Sequence, residues 1–557
     1  MKNIVKLFAL GGLDENGKNM YVLEINLDII VFAAGMKYPD NLSRGVDMII
    51  PDYKYLKDNK KRVKAYFISH GHDDIMGALP YIIQHVPAPV YCSRVTREMI
   101  ELTAKRRKQK VKFDFREVKA GDIIDINGHE TTFFATTHSI NESLGVAVET
   151  GDGLVVYSSD FILDYEYLQQ YRTNLDSFVD LQRKGVLCLM TESVSCHIPG
   201  HTSPNHRITP IVEPIFIENT GRIIFSFYSQ NLFGIREAID LAIKYKRRVY
   251  IFDDEMKEIL DAATGFGTIR IPSYLKADES DLRRPGNEDI VILVTGIGQA
   301  VFSYLGRMSE GEDKNVSIKP TDNVVIASPV VPGLESFSTR VIDEVFKTGA
   351  KVYNINRQQV VSMHAHAEDI KLLINLVRPK YYLPVKGDYK NLVSNAQIAV
   401  SMNLGYNHNN VFVFDNGMVA YFEDGVFKGC SEIIENGEIM IDGLSLGNVE
   451  STVISDRQKM ADEGVLILGV SVDSKNKKII AGPDPQMRGL IFLRDAEEFV
   501  AELVRTFQNL VQEALDNKTV NHDETKVKIR EKIISLVRKY TGKDPLVLPV
   551  IIDINQK

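Results

Sequence analysis

Short apolar runs fill the first two hundred residues, and several stop on a histidine or an acid just where a polar turn begins. "VKAYFISH" ends on His70, "TTFFATTH" on His138, "GLVVYSSD" on Asp160, and "GVLCLMTES" closes around Glu192. Runs of this length and composition form strands. Side chains at the ends of neighbouring strands converge on one edge of a sheet, so ligands far apart in sequence can share a site. The pattern confines the chain to folds that carry their chemistry on a sheet edge.

The stretch "SHGHDDIMG" follows the strand-like run from Val63 to Ile68. In an extended turn His70 and His72 point to one side, and Asp74 continues that direction. Three neutral imidazoles and a carboxylate make a tetrahedral set for zinc, and an aspartate can bridge to a second ion. The candidate metal ligands are therefore His70, His72, His138, Asp160 and Asp74. Three further histidines, His197, His201 and His206, fall in a Pro/Gly-rich stretch and are expected to be exposed on a loop. His366 is expected to be a bystander.

From about residue 207 the rhythm changes to continuous apolar runs separated by helical stretches: "RIIFSF", "RRVYIFD", "DIVILVTG", "NVVIASPVV" and "AKVYNIN". Unalternating strands suit a parallel sheet covered on both faces. Ile370, Leu373, Ile374 and Val377 then recur at helical spacing, and "KYYLPVKGDY" gives a strand and a turn like those of the first domain. The second domain is therefore expected to be an insertion. The tail holds a hairpin candidate and two amphipathic helices, one with the stripe Phe499, Leu503, Phe507, Leu510 and Ala514, the other with Ile529, Ile533, Leu536 and Tyr540. A length of 557 residues suits about three domains. The expected boundaries are 1–206 and 371–449 for the two parts of the first domain, 207–370 for the insertion and 450–557 for a small α/β tail domain.

The formal charge of -8 argues against indiscriminate coating of nucleic acid and permits a local basic groove. The basic runs at Lys105–Lys112 and Lys244–Arg248 are expected to be solvated helix ends. Cys92, Cys188, Cys196 and Cys430 lack paired metal spacing and suit free thiols in a reducing compartment. With no apolar run long enough for a membrane helix and no secretion signal, a cytoplasmic protein without membrane attachment is expected.

In chain order, "HGHDDI", "TTHS" and "SSDF" resemble the metallo-β-lactamase signature, and the inserted parallel domain resembles the β-CASP nucleic-acid-processing subgroup. Within it, "GGLDENGKNMYVLEI", "GMKYPD", "PAPVY", "IDGLSLGN" and "RGLIFLRD" are similar to the ribonuclease J family over essentially the whole chain. The resemblance implies an α/β chain: a metallo-β-lactamase αββα sandwich, an inserted doubly wound β-CASP domain and a C-terminal α/β oligomerisation domain. It also implies zinc-dependent 5′-to-3′ exonucleolytic and endonucleolytic RNA cleavage in the cytoplasm by oligomers.

Carried over residue by residue, the resemblance makes His70, His72 and His138 the first metal's ligands, with Asp160 bridging and Asp74 serving the second metal. The family's two further histidines for that second metal are Ile75 and Lys386 here. Isoleucine has no lone pair, and a lysine ammonium offers a proton instead of a ligand atom. The acid of the early "DAG" turn is Ala33, the first β-CASP acid is Glu192, and the second-motif histidine is His364. Asp74, Asp160 and His364 are the implied catalytic residues. Ser362 and His364, just before an expected helix, are the substrate-binding candidates. The segment holding a 5′-monophosphate is altered at Gly296–Val301 and at Gln230.

Asp74 and Asp160 at about 4 Å would repel by roughly 4 kcal/mol at an effective dielectric of 20. Lys386 is expected to offset this as a structural cation. These losses resemble those of the family's degenerate paralogues in Firmicutes. The expectation is a weakly active or inactive RNA-processing and RNA-decay paralogue, binding one zinc ion or none, as a homodimer or a hetero-oligomer with an active ribonuclease J. The alternative is a single-metal exo- and endoribonuclease, with manganese or magnesium as substitute ions. A small-molecule hydrolase is disfavoured, because the insertion and tail are shared with RNA processors.

Overall fold

The computed structural model describes residues 2–39, 45–164, 171, 173–265, 269–330, 334–430, 432–443, 451–490, 497–520 and 522–555. The end of "GMKYPD" and most of "IDGLSLGN" and "RGLIFLRD" lie outside the described residues.

Residues Met1–Tyr38 and Met48–Ile439 form one compact unit, and Pro39–Asp47 with Met440–Lys557 form another. Two sheets face each other in the first unit. One has eight strands in the order Val426–Gly429, Ala420–Glu423, Ile4–Gly11, Met20–Ile25, Asp28–Phe32, Val63–Ile68, Val90–Cys92 and Phe115–Glu117. The other has six: Tyr381–Val385, Val186–Glu192, Leu154–Tyr157, Leu144–Glu149, His129–Ala135 and Ile123–Ile126. Leu7, Leu23, Phe32 and Phe67 from the first meet Phe133, Val146, Val155 and Leu383 from the second in a buried core. Phe32 stacks on Tyr157 there with ring centroids 5.5 Å apart. Helices Leu175–Lys184, Ala367–Val377 and Tyr389–Ser401 pack on the other face of the six-stranded sheet through Phe178, Ile370, Leu373 and Ala399. This is the αββα sandwich.

All five continuous apolar runs after residue 207 become strands of one parallel sheet, ordered Arg248–Ile251, Ile290–Gly296, Ile223–Tyr228, Asn323–Ile326 and Lys351–Asn354. Its three inner strands are buried almost throughout because helices cover both faces, as the lack of alternation requires, whereas the edge strand Lys351–Asn354 is partly exposed. The next strand, Tyr381–Val385, pairs in parallel with Val186–Glu192. The five-stranded sheet is thus inserted between two neighbouring strands of the six-stranded one.

In the second unit a three-stranded sheet, ordered Lys478–Arg488, Val465–Asp473 and Leu546–Asp553, packs on helices Glu497–Asp516 and Asp523–Thr541. The first helical stripe is buried except at Leu510, which is partly covered. In the second helix Val537 joins Ile529 and Ile533 in the core, while Tyr540 is exposed. Residues four apart keep one face in register there, and Tyr540 falls off it.

Two loop expectations change. His206 is buried beside Asp164, with Nε2 3.3 Å from its carboxylate, because its loop folds beneath the insertion; His197 and His201 stay exposed. The basic run is not simply solvated: Lys105 and Arg106 pair with Glu258 and Glu255, and Arg107 donates to the Gly77 carbonyl at 2.7 Å.

Candidate metal centre

Strand ends and backbone hydrogen bonds build this site. Past strand Val63–Ile68 the chain turns through His70–His72, and His72 becomes the N-cap of the short helix Asp73–Met76. The loop is held from below by main chain: Asn19 N–H donates to Asp74 O, Ala34 to Ile75 O and Met36 to Asp73 O. Gly35 is needed there, because a Cβ at that position would sit 1.7 Å from Asp74 O. Ala33, Ser159 and Lys386, at three converging strand ends, adopt positive φ of 63°, 58° and 55°. Each left-handed residue costs roughly 1–2 kcal/mol, which the surrounding bonds offset.

His70, His72, His138 and Asp160 are brought together, each offering one ligand atom within 4.8 Å of the others. His72 Nδ1 lies 3.1 Å from His70 Nε2 and 3.2 Å from His138 Nε2, and Asp160 Oδ2 lies 3.5 and 3.6 Å from His70 Nε2 and His138 Nε2. A tetrahedron of ligands 2.0–2.1 Å from zinc has edges of about 3.3 Å.

The outer nitrogens fix the tautomers. His138 Nδ1 donates to Met363 O at 2.7 Å, and His72 Nε2 donates to Gln230 O at 3.3 Å and lies 3.0 Å from Ser139 Oγ. Carbonyls only accept, so the ring protons point outward and the lone pairs inward. Two lone pairs facing each other at 3.2 Å suit a cation between them. His70 Nδ1 rests on Ser69 Oγ at 3.0 Å, which accepts in turn from Ser159. Burial, then the neighbouring His70 ring, pushes His72 down to about 3 and His138 well below the usual imidazole range. Both rings are neutral, the state a metal ligand requires. The donor set fits one divalent ion.

The adjoining half of the site does not fit a second ion. Ile75 is fully buried, and Lys386 Nζ lies 2.7 Å from Asp74 Oδ2 and bonds Asp160 Oδ2 as well. Burial works against the Lys386 charge, yet Asp160 and Asp74 together raise its pKa. Burial likewise opposes both carboxylates, but the ammonium holds Asp74 below and Asp160 well below the ordinary range. Asn19 Nδ2 also donates to the Asp74 carbonyl at 2.8 Å and to its carboxylate at 3.2 Å.

Beside this centre, His364 Nδ1 meets Glu192 Oε2 at 2.6 Å, and Glu192 Oε1 accepts from the Phe161 and Ala365 N–H groups. Burial raises Glu192; burial also works against the His364 charge, but the carboxylate beside it raises His364. Asp160 Oδ1 is buried without a hydrogen-bond partner. Ser362 is exposed, 3.5 Å from Ser195 Oγ. The N-terminal N–H groups of the following helix are engaged by Ile198 O, Gly200 O and Asp369, so any phosphate contact falls to the Ser362 hydroxyl and the His364 ring. The supporting roles of Ser69, Ser139, Ser159, Gln230 and Met363 are not legible in the sequence, because they act through hydroxyls and carbonyls; Gln230 stands out there only as an altered 5′-monophosphate position.

The sandwich, the insertion and the histidine cluster define a metallo-β-lactamase-type chain carrying a β-CASP domain. Residues 13–208 match the metallo-beta-lactamase superfamily, 220–345 the Ribonuclease J beta-CASP domain and 452–554 the Ribonuclease J C-terminal domain. The chain is 30% identical over 553 residues to Ribonuclease J 2 of Staphylococcus saprophyticus, covering 99% of each. It is 29% identical over 550 residues to Ribonuclease J 2 of Staphylococcus aureus, covering 99% of this chain and 98% of the relative. This chain belongs to the ribonuclease J family. A crystal structure of a protein of unknown function from Enterococcus faecalis shares the fold, with a TM-score of 0.54 and 15% identity over 76% of this chain and 100% of that one.

Proposed function

We propose that this chain is an RNA-processing and RNA-decay protein of low or no intrinsic nuclease activity that works with an active ribonuclease J in the cytoplasm. The observation that carries the reading is Lys386, whose ammonium contacts both Asp74 and Asp160. It supplies, as a fixed charge, the compensation those carboxylates need, and it engages Asp74 Oδ2 and Asp160 Oδ2, the oxygens a second ion would share. His70, His72, His138 and Asp160 would hold one zinc ion, or manganese or magnesium, which supplies Lewis acidity when bound. Losing outer support alone costs 10- to 100-fold in affinity or activity, so two lost ligands cost at least about that.

A slower alternative is favoured by one feature, the Glu192–His364 pair. Glu192 accepts from His364 Nδ1 and raises its pKa, favouring the charged ring, which suits it to touch a scissile phosphate. On that reading the chain is a single-metal exo- and endoribonuclease using Asp74, Asp160 and His364. Altered residues at Gly296–Val301, and Gln230 turned with its carbonyl to His72, argue against a strong preference for a 5′-monophosphate. Among the described residues no helix is long and apolar enough to cross a membrane.

The test combines metal analysis of the pure protein with cleavage of 5′-monophosphorylated RNA in manganese or magnesium, using His70→Ala as control. One ion or none, little cleavage and co-purification with an active ribonuclease J are expected. Two bound ions with robust cleavage abolished by His70→Ala would overturn the leading reading; one ion with slow, His70-dependent cleavage would select the alternative.

A further inference from the structure

The metal-site histidines stand on the sandwich, but their outer hydrogen bonds come from the inserted segment. Gln230, which holds His72 Nε2, follows the central strand Ile223–Tyr228 of the five-stranded sheet. Met363, which holds His138 Nδ1, follows that sheet's last strand, Lys351–Asn354. A third link is Phe233 N–H, which donates to the carbonyl of Ser139 at 2.9 Å, beside His138. The correct tautomers of two of the three rings are thus set from outside the sandwich.

A second set of contacts ties the same two parts together at the metal loop. Helix Arg94–Arg106 presents Lys105 to Glu258 at 2.9 Å and Arg106 to Glu255 at 2.8 Å on helix Asp254–Gly265. Arg106 also lies 3.8 Å from Asp73, and Arg107 reaches Asp73 Oδ1 at 3.4 Å and Gly77 O at 2.7 Å. One basic helix end therefore holds the histidine loop and the insertion at once. This is what the basic run does in the folded chain.

We propose that the inserted domain is an outer part of the metal centre: its docking, clamped by Glu255 and Glu258, fixes the tautomers of His72 and His138 and so sets how tightly the centre holds an ion. The proposal rests on the one-ion reading. When the insertion moves away, Gln230 O and Met363 O leave; the Ser139 hydroxyl that stays at His72 Nε2 can donate as well as accept, so both rings regain either tautomer, and only one tautomer of each presents its lone pair inward. Coupling of this kind is reciprocal, so an ion bound between the histidines draws the insertion closed. Glu255 and Glu258 are positioning residues.

The test uses the full-length protein. Zinc affinity is measured by competition with a chelator, and the cobalt-loaded visible spectrum reports ligand geometry. Glu255→Lys with Glu258→Lys turns the clamp repulsive and is expected to weaken zinc binding about 10-fold or more and to reduce the tetrahedral cobalt bands. The neutral pair Glu255→Gln with Glu258→Gln, which avoids repulsion should the first fail to fold, is expected to weaken binding several-fold. Hydrogen exchange in helix Asp254–Gly265 is expected to slow on zinc addition in the wild type and not in His138→Ala. Wild-type zinc affinity in the clamp variants, with exchange insensitive to zinc, would overturn the coupling while leaving the one-ion reading intact. A wild-type chain that binds no zinc would remove the one-ion reading and the coupling with it.

Discussion

Lys386 supplies the positive charge that Asp74 and Asp160 share. Buried Asp160 and partly exposed Asp74 share the one buried ammonium, so removing it leaves the carboxylates uncompensated. Lys386→Met is expected to destabilise the chain by about 3–5 kcal/mol in chemical denaturation. The pH dependence follows from the signs. Asp74 and Asp160 are held low, so their stabilisation is present above about pH 4 and lost as pH falls through their folded values. Lys386 is held high, so its share is complete below about pH 10 and lost only as pH rises further. In Lys386→Met the carboxylates are raised instead, and stability should decline as pH rises from about 4; an unchanged profile would refute the charge balance. Ile75→His combined with Lys386→His restores two imidazoles at these positions. Metal analysis should then rise from one ion to two, with RNA cleavage increased by about 10-fold or more.

At the scale of elements, the histidine loop depends on a turn far away in sequence. The carbonyls of Asp73, Asp74 and Ile75 all accept from main-chain N–H groups of residues 19 to 36, and Gly35 makes the approach close enough. Gly35→Ala must displace that loop, and zinc affinity is expected to fall about 10-fold or more with the far-ultraviolet circular dichroism retained. Full zinc affinity in that variant would show that the turn does not position the loop. The five inserted strands were legible because continuous apolar runs have one good solution, a doubly covered parallel sheet. His206 was not, since its loop is polar in composition and its burial comes from the insertion folding over it. Nor was the pairing of Lys105 and Arg106, because a run of charge does not name its partners.

For the molecule as a whole, the small C-terminal sheet is amphipathic in the manner of a surface that meets another. Val547 is buried against its helices, whereas Leu548, Val550 and Ile552 on the same strand and Ile467 beside Leu548 are exposed. On the proposed partnership, Val550→Asp with Ile552→Asp should lower the oligomeric state in sedimentation without changing zinc affinity. An unchanged mass would place the contact elsewhere.

Taken alone, periodicity in the sequence determined the inserted parallel sheet and the strand-end residues, because these are local properties of the chain; the sandwich was implied by the family resemblance of the motifs at those strand ends. The resemblance also implied two missing imidazoles, at Ile75 and Lys386, since a motif carried over residue by residue needs no fold to be read. Only the tertiary structure decided how closely the Lys386 ammonium, expected to offset the two acids, meets each of them, which carbonyls orient His72 and His138, and that a basic helix end joins the histidine loop to the insertion. Those are meetings of groups from 30 to more than 300 residues apart, and backbone carbonyls, identical in every residue, leave no mark in a sequence.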